Sequence, residues 1–256
     1  MKIVSWNVNS VRARMERLVN WLQTHNPDVL CLQELKCQKE DFPKEELLEL
    51  GYHSSIWGQK SYNGVAILTR EKLEDVRCGF PHNLEDEQSR LISGVVGGVR
   101  VVCVYVPNGQ SPNSEAYFYK LEWLARLKMF LEQWQSDDEQ LVLCGDFNIA
   151  PQDLDIHDPE AWQDEILCTV AERDALKRLK DWGLHDSYRI LKPKGDELSW
   201  WDYRKSGFQK NHGLRIDHVY VSNHLQNNCK EAWIDREERK GTKPSDHAPV
   251  GLELSF

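Results

Sequence analysis

Eight short apolar runs dominate this chain, and most of them end at a polar side chain. They occupy residues 2–6, 29–33, 64–68, 90–96, 100–105, 141–144, 216–221 and 249–254. Runs of this length that are rich in β-branched residues predict strands. Because strand ends can face one pocket, the polar residues that follow them can share it. The pattern predicts one large sheet or two stacked sheets, with chemistry at the strand ends.

Three segments have the apolar periodicity of helices. The first follows Asn9 and Ser10, which we expect to cap it, and ends at Asn26 before Pro27. The other two have the apolar stripes Tyr117, Leu121, Leu124, Leu131 and Trp134, and Leu176, Leu179 and Trp182. A paired glycine in 96–100 predicts a hairpin turn. The order of elements favours an α/β fold with helices outside packed sheets.

No linker rich in Pro, Gly or Ser divides the chain, and no internal repeat is evident. We therefore expect a single domain over residues 1–256. Two polar stretches, 151–172 and 195–214, are the best candidates for long functional loops.

Cysteine usage and the first residues bear on the compartment. The seven cysteines include no Cys-x-x-Cys pair, and Cys31, Cys103 and Cys144 lie inside apolar runs, which predicts buried reduced thiols. Residues 1–6 enter the first strand directly, so no signal peptide is expected, and the apolar runs are too short to span a bilayer. These features favour a cytoplasmic protein without a membrane partner.

The formal net charge of −9 argues against a general binder of polyanions. The charge is segregated, however. Residues 151–181 hold nine acidic and four basic residues, a local charge of −5, whereas residues 191–215 hold six basic and three acidic residues, a local charge of +3. Local charge therefore permits a face that binds nucleic acid.

Four polar residues follow three of the apolar strands and are candidates for a metal-assisted centre. Asp146 and Asn148 open a turn after one strand, although turn chemistry alone explains them equally well. Glu34 ends another strand and would be a hard oxygen ligand for Mg²⁺ or Mn²⁺, although a solvated carboxylate is the commoner case. Asn7 follows the first strand and could instead cap the next helix.

The segment before the last strand is more specific. Asp246 and His247 stand between two prolines, which holds a ligand and a proton-carrying imidazole in a stiff turn. Asp217 is an acid within a strand and requires a partner, either an imidazole or a base such as Arg215. Tyr105 ends a strand and is a candidate to bind a phosphate oxygen, with a core tyrosine as the alternative.

Residues 199–204 place three aromatic side chains among bases. Interleaved aromatic and basic residues fit stacking on nucleobases or insertion into a duplex, and a buried tryptophan pair is the alternative.

Six strings in chain order resemble the exonuclease III family of apurinic/apyrimidinic endonucleases, within the endonuclease/exonuclease/phosphatase superfamily. The strings are Trp6-Asn7-Val8-Asn9, Leu32-Gln33-Glu34, Tyr62-Asn63-Gly64-Val65-Ala66, Gly145-Asp146-Phe147-Asn148, Gly213-Leu214-Arg215-Ile216-Asp217 and Ser245-Asp246-His247. The resemblance spans nearly the whole chain. It implies a four-layer α/β sandwich of two packed mixed sheets flanked by helices, with the site at one edge of both sheets.

The resemblance also implies roles for individual residues. The implied metal ligands are Asn7, Glu34, Asp146, Asn148, Asp246 and His247. The implied catalytic residues are Tyr105, Asp146 as the base, Asn148, Asp217 as the acid that orients the histidine, and His247. The implied DNA-binding residues are Trp200, Leu214, Arg215 and Ile216, around the pocket for an abasic sugar.

The activity implied is hydrolysis of DNA phosphodiesters that depends on Mg²⁺, with Mn²⁺ as a substitute. The implied partner is double-stranded DNA with abasic sites, nicks or blocked 3′ ends, acted on by a monomer at the bacterial nucleoid. The acidic tract and the bulky Leu167 depart from the family pattern and are expected to bias the enzyme toward 3′ ends.

Two alternatives compete with this interpretation. A phosphoesterase of the same superfamily that acts on a small phosphorylated substrate would share the metal site but lack residues 200–204 as they stand here. A noncatalytic DNA-binding relative would lack at least one metal or proton-transfer residue, and none is missing.

Overall fold

The computed structural model describes residues 1–81, 86–134 and 139–256. In this part of the chain the strands are β1 (Lys2–Asn7), β2 (Val29–Gln33), β3 (His53–Trp57), β4 (Val65–Thr69), β5 (Glu74–Cys78), β6 (Leu91–Val96), β7 (Val99–Tyr105), β8 (Leu141–Asp146), β9 (Leu184–Asp186), β10 (Asp217–Ser222), β11 (Cys229–Ile234) and β12 (Val250–Leu254). The α-helices are α1 (Met15–His25), α2 (Lys44–Glu49), α3 (Glu115–Leu131), α4 (Val170–Asp181), α5 (Ser187–Leu191) and α6 (Gly207–Lys210).

The strands form two six-stranded mixed sheets. One has the order β11-β12-β1-β2-β4-β3 and the other the order β5-β6-β7-β8-β10-β9. Only β1–β2 and β7–β8 are parallel among these pairs, and the remaining pairs are antiparallel. The predicted stacking of two sheets is therefore confirmed.

Alternation of side chains along the strands builds the layers. Residues such as Ile3 and Val142 lie between the sheets, whereas Val4 packs with α1 and Leu143 packs with α3 and α4. Each sheet thus buries one face against the other sheet and the opposite face under helices. The result is the expected four-layer α/β sandwich.

All eight predicted strands are present, but four strands were missed. These are β3, β5, β9 and β11, the four strands at the edges of the two sheets. An edge strand lacks one neighbour, and β5 is exposed along its whole length, so the apolar pattern used for prediction is weak there.

The predicted start of the first helix was wrong. Helix α1 begins at Met15 after a 3₁₀ turn, and no side chain caps it. Asn9 and Ser10 instead adopt positive φ values of 45° and 88°, and the Ser10 amide donates to the Glu34 carbonyl. The predicted end is confirmed, because Asn26 forms a left-handed cap.

The other helix and turn predictions are close. The hairpin turn lies at Gly97 and Gly98, both with positive φ. Helix α3 ends before Trp134, which was expected to continue its stripe. Helix α4 ends shortly before Gly183, as predicted. Within the described ranges, the structure contains no helix with the length and apolar character needed to cross a membrane.

Candidate active site

The ends of strands from both sheets meet at one edge of the sandwich. Parallel strands β7 and β8 place Tyr105 opposite Asp146, and antiparallel β10 begins with Asp217 opposite the same residue. In the other sheet, parallel β1 and β2 end together, with Asn7 opposite Gln33. Because alternate residues of β1 and β8 face the space between the sheets, Asn7 and Asp146 point toward each other.

Local backbone geometry fixes the turn after β8. Gly145 has a φ of 153°, and a Cβ there would lie 1.9 Å from the Val104 carbonyl oxygen, so only glycine fits. Asn148 adopts a left-handed φ of 50°, which asparagine tolerates better than most residues. Its amide N–H donates to Asp146 Oδ1 at 2.9 Å.

Asn7 connects the two carboxylates of the site. Its Nδ2 donates to Glu34 Oε1 and to Asp146 Oδ2, both at 2.9 Å. Its Oδ1 accepts from the Asn9 amide, which sets the orientation of the side chain. Asn7 is therefore not a helix cap, as one alternative proposed, and its amide nitrogen faces the acids.

Glu34 lies just beyond β2 in a strained conformation with a φ of 53°. It accepts a hydrogen bond from the Tyr105 hydroxyl at 3.0 Å, and Lys36 Nζ lies 2.8 Å from its Oε2. Burial, together with the nearby Glu34 and Asp146 charges, raises the pKa of Tyr105 well above its ordinary value. Tyr105 is thus a protonated donor at neutral pH.

His247 and Asp217 form a buried pair. His247 Nδ1 lies 2.9 Å from Asp217 Oδ2, and that oxygen also accepts from Ser199 Oγ at 2.6 Å. The partner of Asp217 is therefore the imidazole and not Arg215. His247 Nε2 points toward Asp146 Oδ2 at 3.7 Å, which is too long for a hydrogen bond.

Burial and neighbouring charges set the protonation states of Asp146 and His247. Burial raises the pKa of Asp146 to about 7, although the His247 charge opposes the rise. Burial alone would lower the pKa of His247, but the Asp217 and Asp146 carboxylates outweigh it and raise that pKa to about 10. His247 is therefore an imidazolium at neutral pH, with its Nε2 hydrogen directed into the site.

Asp246 is held beside this group. Its Oδ1 accepts from Asn9 Nδ2 at 2.9 Å and its Oδ2 accepts from Trp200 Nε1 at 3.1 Å. Burial would raise the pKa of Asp246, but the His247 charge and these two hydrogen bonds lower it. Asp246 thus remains ionised, and Trp200 is tied to the site through it.

Several residues that contact the site were missed from the sequence. Asn108 Nδ2 donates to Asn148 Oδ1 at 3.0 Å, and Ser245 Oγ donates to the Asn7 carbonyl at 2.6 Å. Asn108 stands beside a proline and a glycine, Ser245 beside a proline, and Asn9 was assigned to a helix cap. In the sequence, these three residues therefore look like ordinary turn or cap residues.

Within the described residues, one group of acidic and imidazole side chains has the spacing of metal ligands. Glu34, Asp146 and His247 each place a ligand atom within 4.8 Å of the others. Asp246, predicted as a further ligand, is not in this group. The two carboxylates are hard oxygen donors held close together, with Asp146 buried and Glu34 partly buried, an arrangement that a divalent cation such as Mg²⁺ stabilises. The two carboxylates therefore fit a metal of this type, whereas the His247 imidazolium has no free lone pair to bind it.

The residues predicted to form the sugar pocket lie next to the site. Leu214 and Ile216 are buried in a small hydrophobic cluster against which Trp200 packs. Leu167 belongs to the same cluster and is only 3% exposed, so its side chain packs inside this cluster. It also adopts a φ of 77°, which is unusual for leucine.

The prediction that Arg215 contacts DNA does not fit its position. Its side chain is 1% exposed, and its guanidinium donates to Asp155 and Asp186. Burial would lower the pKa of Arg215, but these two carboxylates outweigh it and raise the pKa. The basic segment around Arg215 in the sequence does not show that the side chain of Arg215 points inward.

Comparison with known proteins agrees with this geometry. Residues 4–247 match the endonuclease/exonuclease/phosphatase family. The chain belongs to this family. Exodeoxyribonuclease III of Haemophilus influenzae is 40% identical over 99% of this chain and 100% of that protein.

Solved structures of family members have the same fold. The 3′-5′ exonuclease NExo from Neisseria meningitidis superposes with a TM-score of 0.97 at 44% identity, over 100% of both chains. An AP endonuclease from Archaeoglobus fulgidus superposes with a TM-score of 0.96 at 35% identity, also over 100% of both chains.

Proposed function

We propose that this protein is a Mg²⁺-dependent DNA repair nuclease that hydrolyses phosphodiesters 5′ to abasic sites and at the 3′ ends of duplex DNA. The observation that carries the proposal is that Oδ2 of the buried Asp146 and Nε2 of the His247 imidazolium lie 3.7 Å apart. A base and a cationic donor that can contact neighbouring atoms of one substrate fit hydrolysis of a phosphate ester.

Asp146 is proposed as the general base. Burial raises the pKa of Asp146 above its ordinary value, which makes this carboxylate a better proton acceptor. The backbone N–H of Asn148 and the side-chain Nδ2 of Asn7 donate hydrogen bonds to its two oxygens, so the carboxylate has one fixed orientation. Asn148 is proposed to stabilise the charge that develops on the phosphate.

His247 is proposed to bind a nonbridging phosphate oxygen through its Nε2 hydrogen. Asp217 fixes the ring from the opposite side and keeps it charged, so no reorganisation is needed as negative charge develops. The Tyr105 hydroxyl donates its one hydrogen to Glu34 in the free protein, and Tyr105 is proposed to turn that hydrogen toward the same phosphate when DNA binds. Glu34 and Asp146 would hold Mg²⁺, which supplies positive charge for the phosphate and leaving oxygens when bound.

The remaining proposals concern the substrate and its setting. Trp200, with Leu214 and Ile216 beneath it, is proposed to receive the sugar of an abasic nucleotide, since a missing base lowers the cost of extrusion from the helix. We further propose that residues 1–256 act as one domain and as a monomer in the cytoplasm, on the DNA of the nucleoid. The free cysteines among the described residues fit a reducing compartment.

One assay tests the proposal. Purified protein with Mg²⁺ should cut a duplex 5′ to an abasic-site analogue and should remove a 3′-phosphate from a nicked duplex. Failure on both, together with hydrolysis of a soluble phosphomonoester, would show that the substrate is a small molecule. The ratio of the two DNA activities gives the balance between internal sites and 3′ ends.

A further inference from the structure

A cavity next to the catalytic group is lined by Trp200 but by none of the catalytic residues. Its volume is about 370 Å³, and its walls include the aromatic rings of His157, Trp162, Trp200 and His212, with Arg204 and Lys205 beside them. We call this cavity the ring pocket. It does not include Leu214 or Ile216, so it shares only Trp200 with the proposed sugar pocket.

The walls of the ring pocket are held in place by the loops that form them. His157 and His212 stack with ring centroids 4.6 Å apart and an angle of 16°. Trp162 stands almost perpendicular to His157, and the His157 amide donates to the Gly213 carbonyl. Leu214 forms isolated bridges with both Ile156 and Trp200, so backbone hydrogen bonds join the two loops.

Trp200 joins the ring pocket to the catalytic group. Its indole nitrogen donates to Asp246 at 3.1 Å, and its ring centroid lies 6.4 Å from that of His247. A nucleotide whose 5′ phosphate lies at His247 would therefore place its sugar near Trp200. Its base would then be within reach of the cavity beyond.

The chemistry of the walls favours a neutral aromatic ring over a phosphate. Asp158, Glu160, Asp164 and Glu165 all lie in the loop that carries Trp162, and this acidic loop repels an anion. Arg204 is paired with Asp202. Aromatic side chains, in contrast, stack on any nucleobase because every base has a π face.

We infer that the ring pocket binds the base of the 3′-terminal nucleotide that is being excised, with Trp162 as the stacking residue. The inference rests on the proposed function and adds a specificity site to it. It distinguishes nucleotides that carry a base from ends that carry only a phosphate or a sugar. Trp162 would thus contribute to removal of a normal or mismatched nucleotide and not to removal of a 3′-phosphate.

The test compares three duplexes that share one recessed 3′ end. The first ends in an unpaired nucleotide, the second in the same nucleotide without its base, and the third in a 3′-phosphate. For Trp162→Ala, kcat/KM on the first should fall on the order of tenfold, because a stacked base is worth that much or more. Rates on the second and third should stay at the wild-type value.

Two further variants separate stacking from folding. Trp162→Phe keeps an aromatic ring and should retain most of the activity on the first duplex. Phe256→Ala removes an aromatic side chain that is 69% exposed at the end of the chain, and it should change none of the three rates. Thermal melting of each variant shows whether the fold is kept.

A binding measurement completes the test without catalysis. In EDTA, wild-type protein should bind the first duplex more tightly than the second, as measured by fluorescence anisotropy, and Trp162→Ala should remove that difference. The inference is overturned if Trp162→Ala weakens all three duplexes equally, or if it changes none. If wild-type protein cleaves none of the duplexes, the proposed function fails, and the anisotropy difference still decides whether the ring pocket binds a base.

Discussion

The catalytic floor and the rim of the site differ in how their side chains are held. The floor comprises the strand-end residues Asn7, Glu34, Tyr105, Asp146, Asn148, Asp217 and His247. The rim comprises loops 153–168 and 199–214. Each floor side chain has at least one hydrogen-bond partner in the site. In the rim, Trp162 is partly exposed and Arg204 is exposed, with Asp202 of its own loop as its partner.

This difference assigns the reaction to the floor and the recognition of the DNA end to the rim. A rigid floor fixes groups that must act on one phosphorus atom, and a more open rim can change with the substrate without disturbing them. We therefore expect substitutions in the floor to change the rate by orders of magnitude, and substitutions in the rim to change which DNA end is processed.

Removal of the metal should have the largest effect on the floor. EDTA should abolish cleavage of all DNA substrates, because the close Glu34 and Asp146 carboxylates then lack the cation that stabilises them and the phosphate. Added Mg²⁺ should restore the rate, as followed by gel analysis of cleaved duplex. Full activity in excess EDTA would contradict the metal site.

Loss of the Asp146 carboxylate, the proposed general base, should have the second-largest effect. Asp146→Asn should lower kcat by about 10²- to 10⁴-fold, since the amide cannot accept the proton. The affinity for DNA, measured without Mg²⁺, should change little. Asp153→Asn is the matched control, because Asp153 is 72% exposed, and it should leave kcat unchanged. Equal rates for the two variants would remove Asp146 from its proposed role.

A buried ion pair supports the floor from behind. Lys120 and Glu172 are both fully buried, and Lys120 Nζ also donates to the Asn108 and Asn148 carbonyls. Lys120→Met should lower the free energy of unfolding by about 3 kcal/mol, because it leaves the buried Glu172 carboxylate without its cation. The Leu167 and Thr169 amides and the Thr169 hydroxyl still donate to Glu172.

Urea denaturation measures this loss. Lys177→Met breaks the exposed pair with Asp181 and should cost less than about 0.5 kcal/mol. Similar losses of unfolding free energy for the two variants would show that the buried pair stabilises the Asn108 and Asn148 loops no more than an exposed pair would.

His218 connects the floor to the base of the rim. It is fully buried, with Nε2 bound to the Ile149 carbonyl and Nδ1 facing Arg215. Burial and the Arg215 charge lower the pKa of His218 to about 4. Since its pKa in the unfolded chain is higher, its contribution to stability is present above pH 6.5 and is lost as the pH falls toward 4.

The corresponding loss is about 3 kcal/mol between pH 7 and pH 4. His218→Gln should reduce the fall in unfolding free energy over this range by about that amount, whereas exposed His224→Gln should not alter it. Parallel curves for wild type and His218→Gln would contradict the buried neutral imidazole.

The smallest effect is expected at the rim. Arg204 has 85% of its side chain exposed, so Arg204→Ala should weaken DNA binding only a few-fold and reduce its dependence on salt. Anisotropy titrations at several salt concentrations measure both. A loss as large as that of Asp146→Asn would mean that floor and rim cannot be separated in this way.

Sequence reasoning was strongest where the chain is buried on both sides. The interior strands and their terminal polar residues were all predicted, because an apolar run followed by Asp146 or Glu34 is visible without neighbours. The four edge strands were not, because edges carry no continuous apolar run. The role of the strand-end residues came from their order along the chain, through the resemblance to a family.

The direction of individual side chains was less predictable. Arg215 lies in a basic segment but points inward to Asp155 and Asp186, and Leu167 in an acidic loop is buried. Both depend on contacts between residues far apart in sequence. Asn9 and Ser245 were missed for the same reason, since their partners Asp246 and Asn7 lie at the opposite end of the chain.

The hydrogen bond from Ser245 to the Asn7 carbonyl joins residues separated by 238 positions. The site therefore forms only when the first strand and the last loop have come together. A chain in which residues 245–247 have not yet reached the first strand lacks His247 in the site and cannot cut DNA. Nuclease activity then reports the fraction of molecules that have folded from end to end, which a spectroscopic signal from local helices cannot do.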